Sequence, residues 1–418
     1  MLSSLFLLDS LTAVPLGLYL LLWAGVVLTA PRQDRTRKNV TAWVGILTGT
    51  ALAYTANNLL LFLAGWFLTA LPLLLDRDVK GSARLASLTG CLAVAVSIVL
   101  LASMSTSGTW SISSLSAANL KGGEWAFALL MFAVIQRKGI VPLHFGITGT
   151  TETSDLTSAS LLLNSHLGAL IVARIALPVL GDASRSALAL LADLGLLTAV
   201  VTAVLALADR RPRRLLGLIW ISQSSTILAG LESINAEAIT GALIQWMAVS
   251  ISTTLLFAIL RMIEVRHNEP MNGRAYLGLA GRYPRLAVFF AVAAVALVGL
   301  PGTLGFCSED LLMHGVLETH PWIGLAIPIA TALNGFSIYR LFSILFLGKR
   351  EAPSSVVPDA TPRERWPIAV FVALLILLGL APQVAVGLRS QAARSLSQRE
   401  SALAGAGGAV VQNIPGVH

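Results

Sequence analysis

What constrains this chain most is how rarely a charge interrupts it. Charged residues collect in short clusters. Between the clusters run apolar stretches of about 20 residues, the length an α-helix needs to cross a bilayer. About twelve such runs can be traced, at roughly 5–30, 40–56, 58–75, 85–106, 126–144, 156–176, 186–208, 215–231, 238–262, 285–305, 322–347 and 366–386. The chain therefore reads as an all-α integral membrane protein with about twelve transmembrane helices. Only 12% of its residues are charged and 56% are hydrophobic, whereas a soluble domain is about one-quarter charged. A disordered chain, a small disulfide-stapled fold and a string of soluble domains are excluded. The 35 glycines suit close helix packing in lipid. The second and third runs are separated by little more than Asn57 and Asn58. That pair must turn at the membrane interface, because open backbone is not tolerated in hydrocarbon.

The net charge of +8 points to nucleic acid in a soluble chain. Here the basic residues are a topology signal instead, and no nucleic-acid partner is expected. With loops on alternating sides, one side receives the clusters Arg32–Lys38, Arg77–Arg84, Arg210–Arg214, Arg261–Arg285 and Lys349–Arg365. The other receives only Lys121, Arg185, Arg389, Arg394 and Arg399. The basic side is expected in the cytoplasm, with both termini outside, in a bacterial cytoplasmic (inner) membrane. The start of the chain has neither a basic n-region nor a cleavage site, so no removable signal peptide is expected. Cys91 and Cys307 lie in apolar runs and read as buried free thiols, not as a thiolate metal cluster. The tail after Gln383 is small and polar, and reads as a frayed or interfacial end.

A charge at membrane depth costs several kcal/mol unless it is paired or hydrated, so the ionisable groups within the runs name the candidate site. Arg137 and Lys138 precede Gly139, which loosens the helix, and Pro142, which breaks it; His144 follows. They either end a span at the surface or flank an ion site at a broken helix. His166 sits among Asn164, Ser165 and leucines, as a proton carrier or a hydrogen-bonded core histidine. Pro301, Gly302 and Gly305 interrupt a second helix, and Glu309 and Asp310 follow. The carboxylates there are either served by freed backbone groups and water or sit at an interfacial helix start. His314, four residues past Asp310, shares its helix face. Asp9 and Asp193 read as interfacial, and Gln223, Ser224, Ser225 and Gln245 as water-binding or interhelical polar groups. There is no phosphate loop, no dinucleotide fingerprint, no metal-ligand spacing and no credible nucleophile. No cofactor, metal or catalytic centre is expected in this chain.

Four stretches resemble a known family. Phe6-Leu7-Leu8-Asp9-Ser10-Leu11 is similar to "LDGLS". Pro142-Leu143-His144 is similar to the "PLH" after a broken helix. Arg214-Leu215-Leu216-Gly217 to Ile221-Ser222-Gln223 is similar to "(K/R)LLAYSSISQ". Leu300-Pro301-Gly302 to Gly305-Phe306 and Glu309 is similar to "LPG…GF…(K/E)". Together they resemble the proton-translocating, antiporter-like membrane subunits of respiratory complex I and of Mrp-type antiporters, over about residues 5 to 350. The resemblance implies two inverted repeats with broken helices near Pro142 and Pro301. It implies one antiporter-like domain over 1–387 with a polar tail over 388–418, and a chain that starts at the family's third helix.

The family's proton line falls on Arg137 (the broken-helix lysine), on His166 (a lysine in some members) and on Glu309. Lys138, His144, Asp310 and His314 are further candidates. Departures are Trp66-Phe67, where the family has Trp-Glu, and Gln245, Val249 and Thr253, which replace its titratable residues. The implied function is proton or cation translocation in a complex I-related assembly. The implied partners are a redox module or sister antiporter subunits, together with lipid. Two further readings stay open. One is a DAB-type inorganic-carbon accumulation complex with a soluble zinc-bearing, carbonic-anhydrase-like partner. The other is a non-conducting scaffold.

Overall fold

The computed structural model describes residues 5–104, 110–118, 123–180, 185–233, 235–267, 271, 273, 276–348 and 359–411. Lys121, Arg274, Lys349 and Arg350, which contribute to the charge pattern, lie outside the described residues. Among those described, helices are joined by turns and short coil, and the β-pairing consists of two isolated bridges, Phe6 to Ala56 and Asn58 to Ser111.

The helices are α1 (Ala13–Thr29), α2 (Arg37–Thr55), α3 (Leu59–Leu75), α4 (Gly81–Met104), α5 (Ile112–Ala118), α6 (Glu124–Lys138), α7 (Phe145–Thr153), α8 (Leu156–Asn164) and α9 (Leu167–Ile171). α9 continues through a π-helical turn, Val172–Ala176, to Leu180. Then come α10 (Arg185–Ala208), α11 (Pro212–Glu232), α12 (Ala236–His267), α13 (Pro284–Leu297), α14 (Leu304–Thr319), α15 (Ala326–Phe346), α16 (Pro362–Leu380) and α17 (Pro382–Val411).

Six of these segments are long and apolar enough to cross a membrane: α4, Leu156–Val179, Ala187–Ala208, α11, α12 and Ile323–Phe346. A seventh arises if α16 and α17, bent by 86°, count as one. α1, α3 and α13 are apolar but shorter. The breaks account for part of the shortfall from the expected twelve, at α6 and at α13–α14; α1, α2 and α3 are unbroken and fall short by length or composition.

The interior is built from Leu156–Val179, α11 and α12, which are almost wholly buried. Their hydrophobicity runs all round the helix, so no face prefers lipid or water. α4, α10 and α15 are half-covered and present Leu88, Leu92, Leu197, Phe336 and Tyr339 outward.

The Asn57-Asn58 turn is satisfied by backbone: Asn57 N–H donates to Leu5, and its carbonyl accepts from Ile112. Asn58 caps α3 by accepting from Leu60 N–H at 2.9 Å. Basic loops distant in sequence meet at one end through ion pairs. Arg261 contacts Asp34 at 2.5 Å, Arg213 contacts Glu264 at 2.6 Å, and Lys80 and Arg211 share Glu152.

The tail differs from expectation. α17 runs through position 388 without a break. Arg389 is fully buried and donates to the carbonyls of Ser10 and Leu11 at 3.3 and 3.2 Å. Ala392, Ala393 and Leu396 join the main core. Small residues look polar in composition, yet they are what a helix needs in order to lie close against its neighbours. Cys91 and Cys307 are buried free thiols, as expected.

Candidate functional site

The first interruption follows from Gly139. Its φ of 71° is left-handed, and Ile140 N–H reaches back to Ile135 C=O at 2.9 Å, closing α6 at Lys138. Pro142 then keeps the chain from re-forming helix until α7. Lys138 is left on the last turn, 1% exposed.

Lys138 Nζ lies 3.0 Å from His166 Nδ1 and donates to the Ser224 carbonyl at 3.1 Å. Among the described residues no carboxylate lies within ion-pair distance of it. Instead the ammonium sits 5.6 Å from the Trp220 ring centroid. His166, 2% exposed, stacks on Trp220 at 5.6 Å and contacts Trp246 at 5.5 Å. Its backbone is left-handed, with φ 45°, at the step between α8 and α9. A non-glycine residue held there stores strain, a feature that clusters at functional sites. Asn164 braces the same step, accepting from Trp220 Nε1 and Thr253 Oγ1 at 3.0 Å each. The Lys138–His166 contact needs one proton and one lone pair, so the tautomer and charge of the pair decide which nitrogen donates.

From Ser224 the polar groups continue along α11. Gln245 Nε2 donates to Gln223 Oε1 at 2.8 Å, and Ser308 Oγ donates to Gln245 Oε1 at 2.5 Å. Gln223 lies beside the Glu309 carboxylate. Glu309 Oε1 also accepts from Thr331 Oγ1 at 2.9 Å.

The second interruption places this carboxylate. α13 stops at Leu297, Gly299 and Gly302 take φ of 65° and 87°, and α14 restarts at Leu304. Gly305 lets α14 pass directly over the Ala296 carbonyl, where a Cβ has no room. Pro301 lies in the turn between the two half-helices.

Lys138, His166 and Glu309 therefore belong to one set of elements around α11. The other expected residues stand apart. Arg137 points to α3, donating to Thr69 Oγ1 at 2.9 Å, with its guanidinium 5.2 Å from the Trp66 ring. Phe67 is 46% exposed and faces outward. His144 lies in the turn against Phe145, and its buried Nδ1 has no partner. Asp310 and His314 share a face as the spacing predicts, but it is an exposed one. His314 Nδ1 lies 2.8 Å from the Asp310 carbonyl, outside the buried line. Inside α14, the rotation of about 100° from one residue to the next turns Glu309 inward and Asp310 outward.

Sequence reasoning missed several contributors. Trp220 and Trp246 wall the pair, but a tryptophan in an apolar run looks like any core residue. The far end of α14 carries a better-connected histidine than His314. His320 reaches Asp193 through Nδ1 at 2.9 Å and Glu232 through Nε2 at 3.0 Å. Its two partners come from different helices, so no spacing signals it. Among the described residues no group of three or more His, Cys, Asp or Glu could hold a metal ion.

Comparison with known proteins agrees with this architecture. The family model described as "NADH:quinone oxidoreductase/Mrp antiporter, TM" matches residues 56–334. NADH-quinone oxidoreductase subunit N of Rhodococcus opacus is 28% identical over 280 residues, 64% of this chain and 50% of that protein. Subunit M of Rhodobacter capsulatus is 27% identical over 244 residues, 58% of this chain and 47% of that protein. The chain thus spans about half the length of the curated relatives it matches.

Two solved structures share the fold. A chain of respiratory complex I from Thermus thermophilus superposes with a TM-score of 0.85 at 24% identity, covering 94% of this chain and 86% of that one. A chain of the Mrp complex from Dietzia sp. DQ12-45-1b gives 0.80 at 20% identity, covering 95% and 85%. With its apolar helices, the chain is an integral membrane protein.

Proposed function

The chain belongs to the family of NADH:quinone oxidoreductase/Mrp antiporter transmembrane subunits, and from that premise we propose that it moves protons across the membrane as one subunit of a larger complex. The observation that carries the proposal is the buried Lys138–His166 contact at 3.0 Å, continued by Gln223 and Gln245 toward Glu309. A proton can be held at each end, by the nitrogen pair or by the carboxylate. The amide groups between them offer donors and acceptors to bound water, which spans what the side chains do not. Arg137 does not release its proton under ordinary conditions, so it acts as a fixed charge beside the path and not as a carrier.

This reading includes twelve membrane crossings, with the helices broken at Gly139–Pro142 and Val298–Thr303 as counterparts in two inverted repeats. It places the ion-paired basic end in the cytoplasm of a bacterial cell and both termini outside. The driving force comes from partners, either a redox module or sister antiporter subunits.

The experiment is proton transport by the assembled complex in proteoliposomes, with Glu309→Gln against wild type and subunit content checked in both. A fall in transport of roughly tenfold or more in an intact assembly is expected, and normal transport sinks the role of Glu309. Recovery of the complex also sorts the partner classes. Iron–sulfur or sister membrane subunits support the proposal. A single soluble zinc-bearing subunit redirects it to inorganic-carbon accumulation.

A further inference from the structure

At the basic end of the molecule, α2, α3 and the segment joining α7 to α8 enclose a half-open cavity of about 580 Å³, a size that suits a small-molecule ligand. Its wall toward the membrane is apolar: Leu68, Leu71, Pro72 and Leu75 from α3, facing Ala42 and Gly45 from α2. Its rim is charged. Lys38 is held by Asp76 at 2.7 Å and Asp78 at 3.5 Å. Arg37 is exposed and makes no ion pair among the described residues.

Its inner end is polar and short of donors. Ser154 is 4% exposed, and its Oγ has no partner. Asp155 Oδ2 accepts from Trp43 Nε1 and Ser158 N–H at 3.0 Å each, but its Oδ1 is buried without a partner. Buried acceptors left unpaired cost free energy that a donor-bearing ligand recovers.

We propose that this cavity binds a phospholipid whose headgroup carries hydrogen-bond donors, with its phosphate at Arg37, its donors on Ser154 and Asp155, and an acyl chain along Leu68 and Leu71. The order of the three regions supports this occupant. A cation lies at the depth of the headgroups, acceptors lie just inside, and an apolar strip continues into the hydrocarbon. Ethanolamine and glycerol headgroups bear such donors. Choline, with no N–H or O–H, does not.

The test is native mass spectrometry of the detergent-purified assembly, titrated with phosphatidylethanolamine, phosphatidylglycerol and phosphatidylcholine. An added Cβ at Gly45 meets nothing within 4 Å, so Gly45→Leu fills the groove without straining helix packing. One lipid is expected to bind, with the ethanolamine or glycerol form favoured about tenfold over choline, the value of one strong hydrogen bond. Gly45→Leu should abolish this binding, and Arg37→Gln should weaken it about tenfold. Ser154→Ala, which cannot disturb the fold through a bond it does not make, should shrink the preference over choline. Equal retention of all three lipids by wild type and variants overturns the proposal. So does a photocrosslinker at Leu71 that joins a protein chain and not lipid, since the groove is then a subunit contact.

Discussion

The two broken helices solve the same problem in opposite ways. At the first, the ionisable groups are sealed: Lys138 and His166 are 1% and 2% exposed, and tryptophan rings take the place of a counterion. At the second, Glu309 is half-buried and leans on neutral groups, accepting from Thr331 with Gln223 beside it, while Asp310 next to it is exposed. A cation tolerates burial against aromatic faces because their quadrupoles attract it. A carboxylate has no such apolar partner and needs hydrogen-bond donors or water. In the proposed function, the first break would hold one proton between two nitrogens, and the second would hold one on a carboxylate served by neutral hydrogen-bonding groups.

That contrast predicts unequal consequences. Lys138→Met removes one of the two nitrogens in a site that is 1–2% exposed. Proton transport by the assembled complex should fall by roughly 100-fold or more, the scale of a lost proton-transfer group. Glu309→Gln should cost less, roughly tenfold or more, because the amide keeps the side-chain volume and the Thr331 hydrogen bond and loses only the proton carrier. Transport assays on both variants at equal assembly check the order. A larger loss at Glu309 than at Lys138 breaks the comparison.

His166 sharpens it. If the pair shares one proton, His166→Gln keeps the volume and a hydrogen bond but loses the carrier, and transport should drop about tenfold or more. His166→Lys restores a titratable nitrogen but sets two ammonium groups against each other, so recovery should be partial and better at high pH. Full activity of His166→Gln assigns the histidine to packing. Between the breaks, Gln245→Leu severs the amide contacts to Gln223 and Ser308. It should lower transport only a few-fold, since neither amide holds a proton itself.

How much of this was legible follows from what periodicity and composition encode. The breaks were legible, because proline and glycine act locally and Pro142 and Pro301 interrupt runs that otherwise continue. Glu309 and His166 were legible as expensive groups in apolar surroundings. Which of two adjacent residues turns inward was not. Lys138 and not Arg137 meets His166, and Glu309 and not Asp310 meets Gln223, and both outcomes depend on where the helix stops to within one residue. The tryptophan wall and the His320 contacts join residues far apart in the chain, and no local spacing records them. α17 escaped because a buried arginine on a small-residue helix reads as solvated tail; its bonds to Ser10 and Leu11 and the packing of Ala392, Ala393 and Leu396 show otherwise.

The smallest effect separates the breaks by stability and not by transport. Gly139 and Gly302 both take left-handed backbone, at φ 71° and 87°, so alanine at either strains the chain by about 1–2 kcal/mol. Their surroundings differ. A Cβ at 139 comes to 2.9 Å of Ile147 and 3.1 Å of Ile221, whereas one at 302 meets only Leu380, at 3.7 Å. Overpacking should add about 1–3 kcal/mol at the first site and nothing at the second. Thermal melts in detergent should therefore rank wild type above Gly302→Ala and Gly302→Ala above Gly139→Ala. Equal melting of the two variants means that the first break yields as readily as the second, and the sealed character assigned to the Lys138–His166 site loses its structural basis.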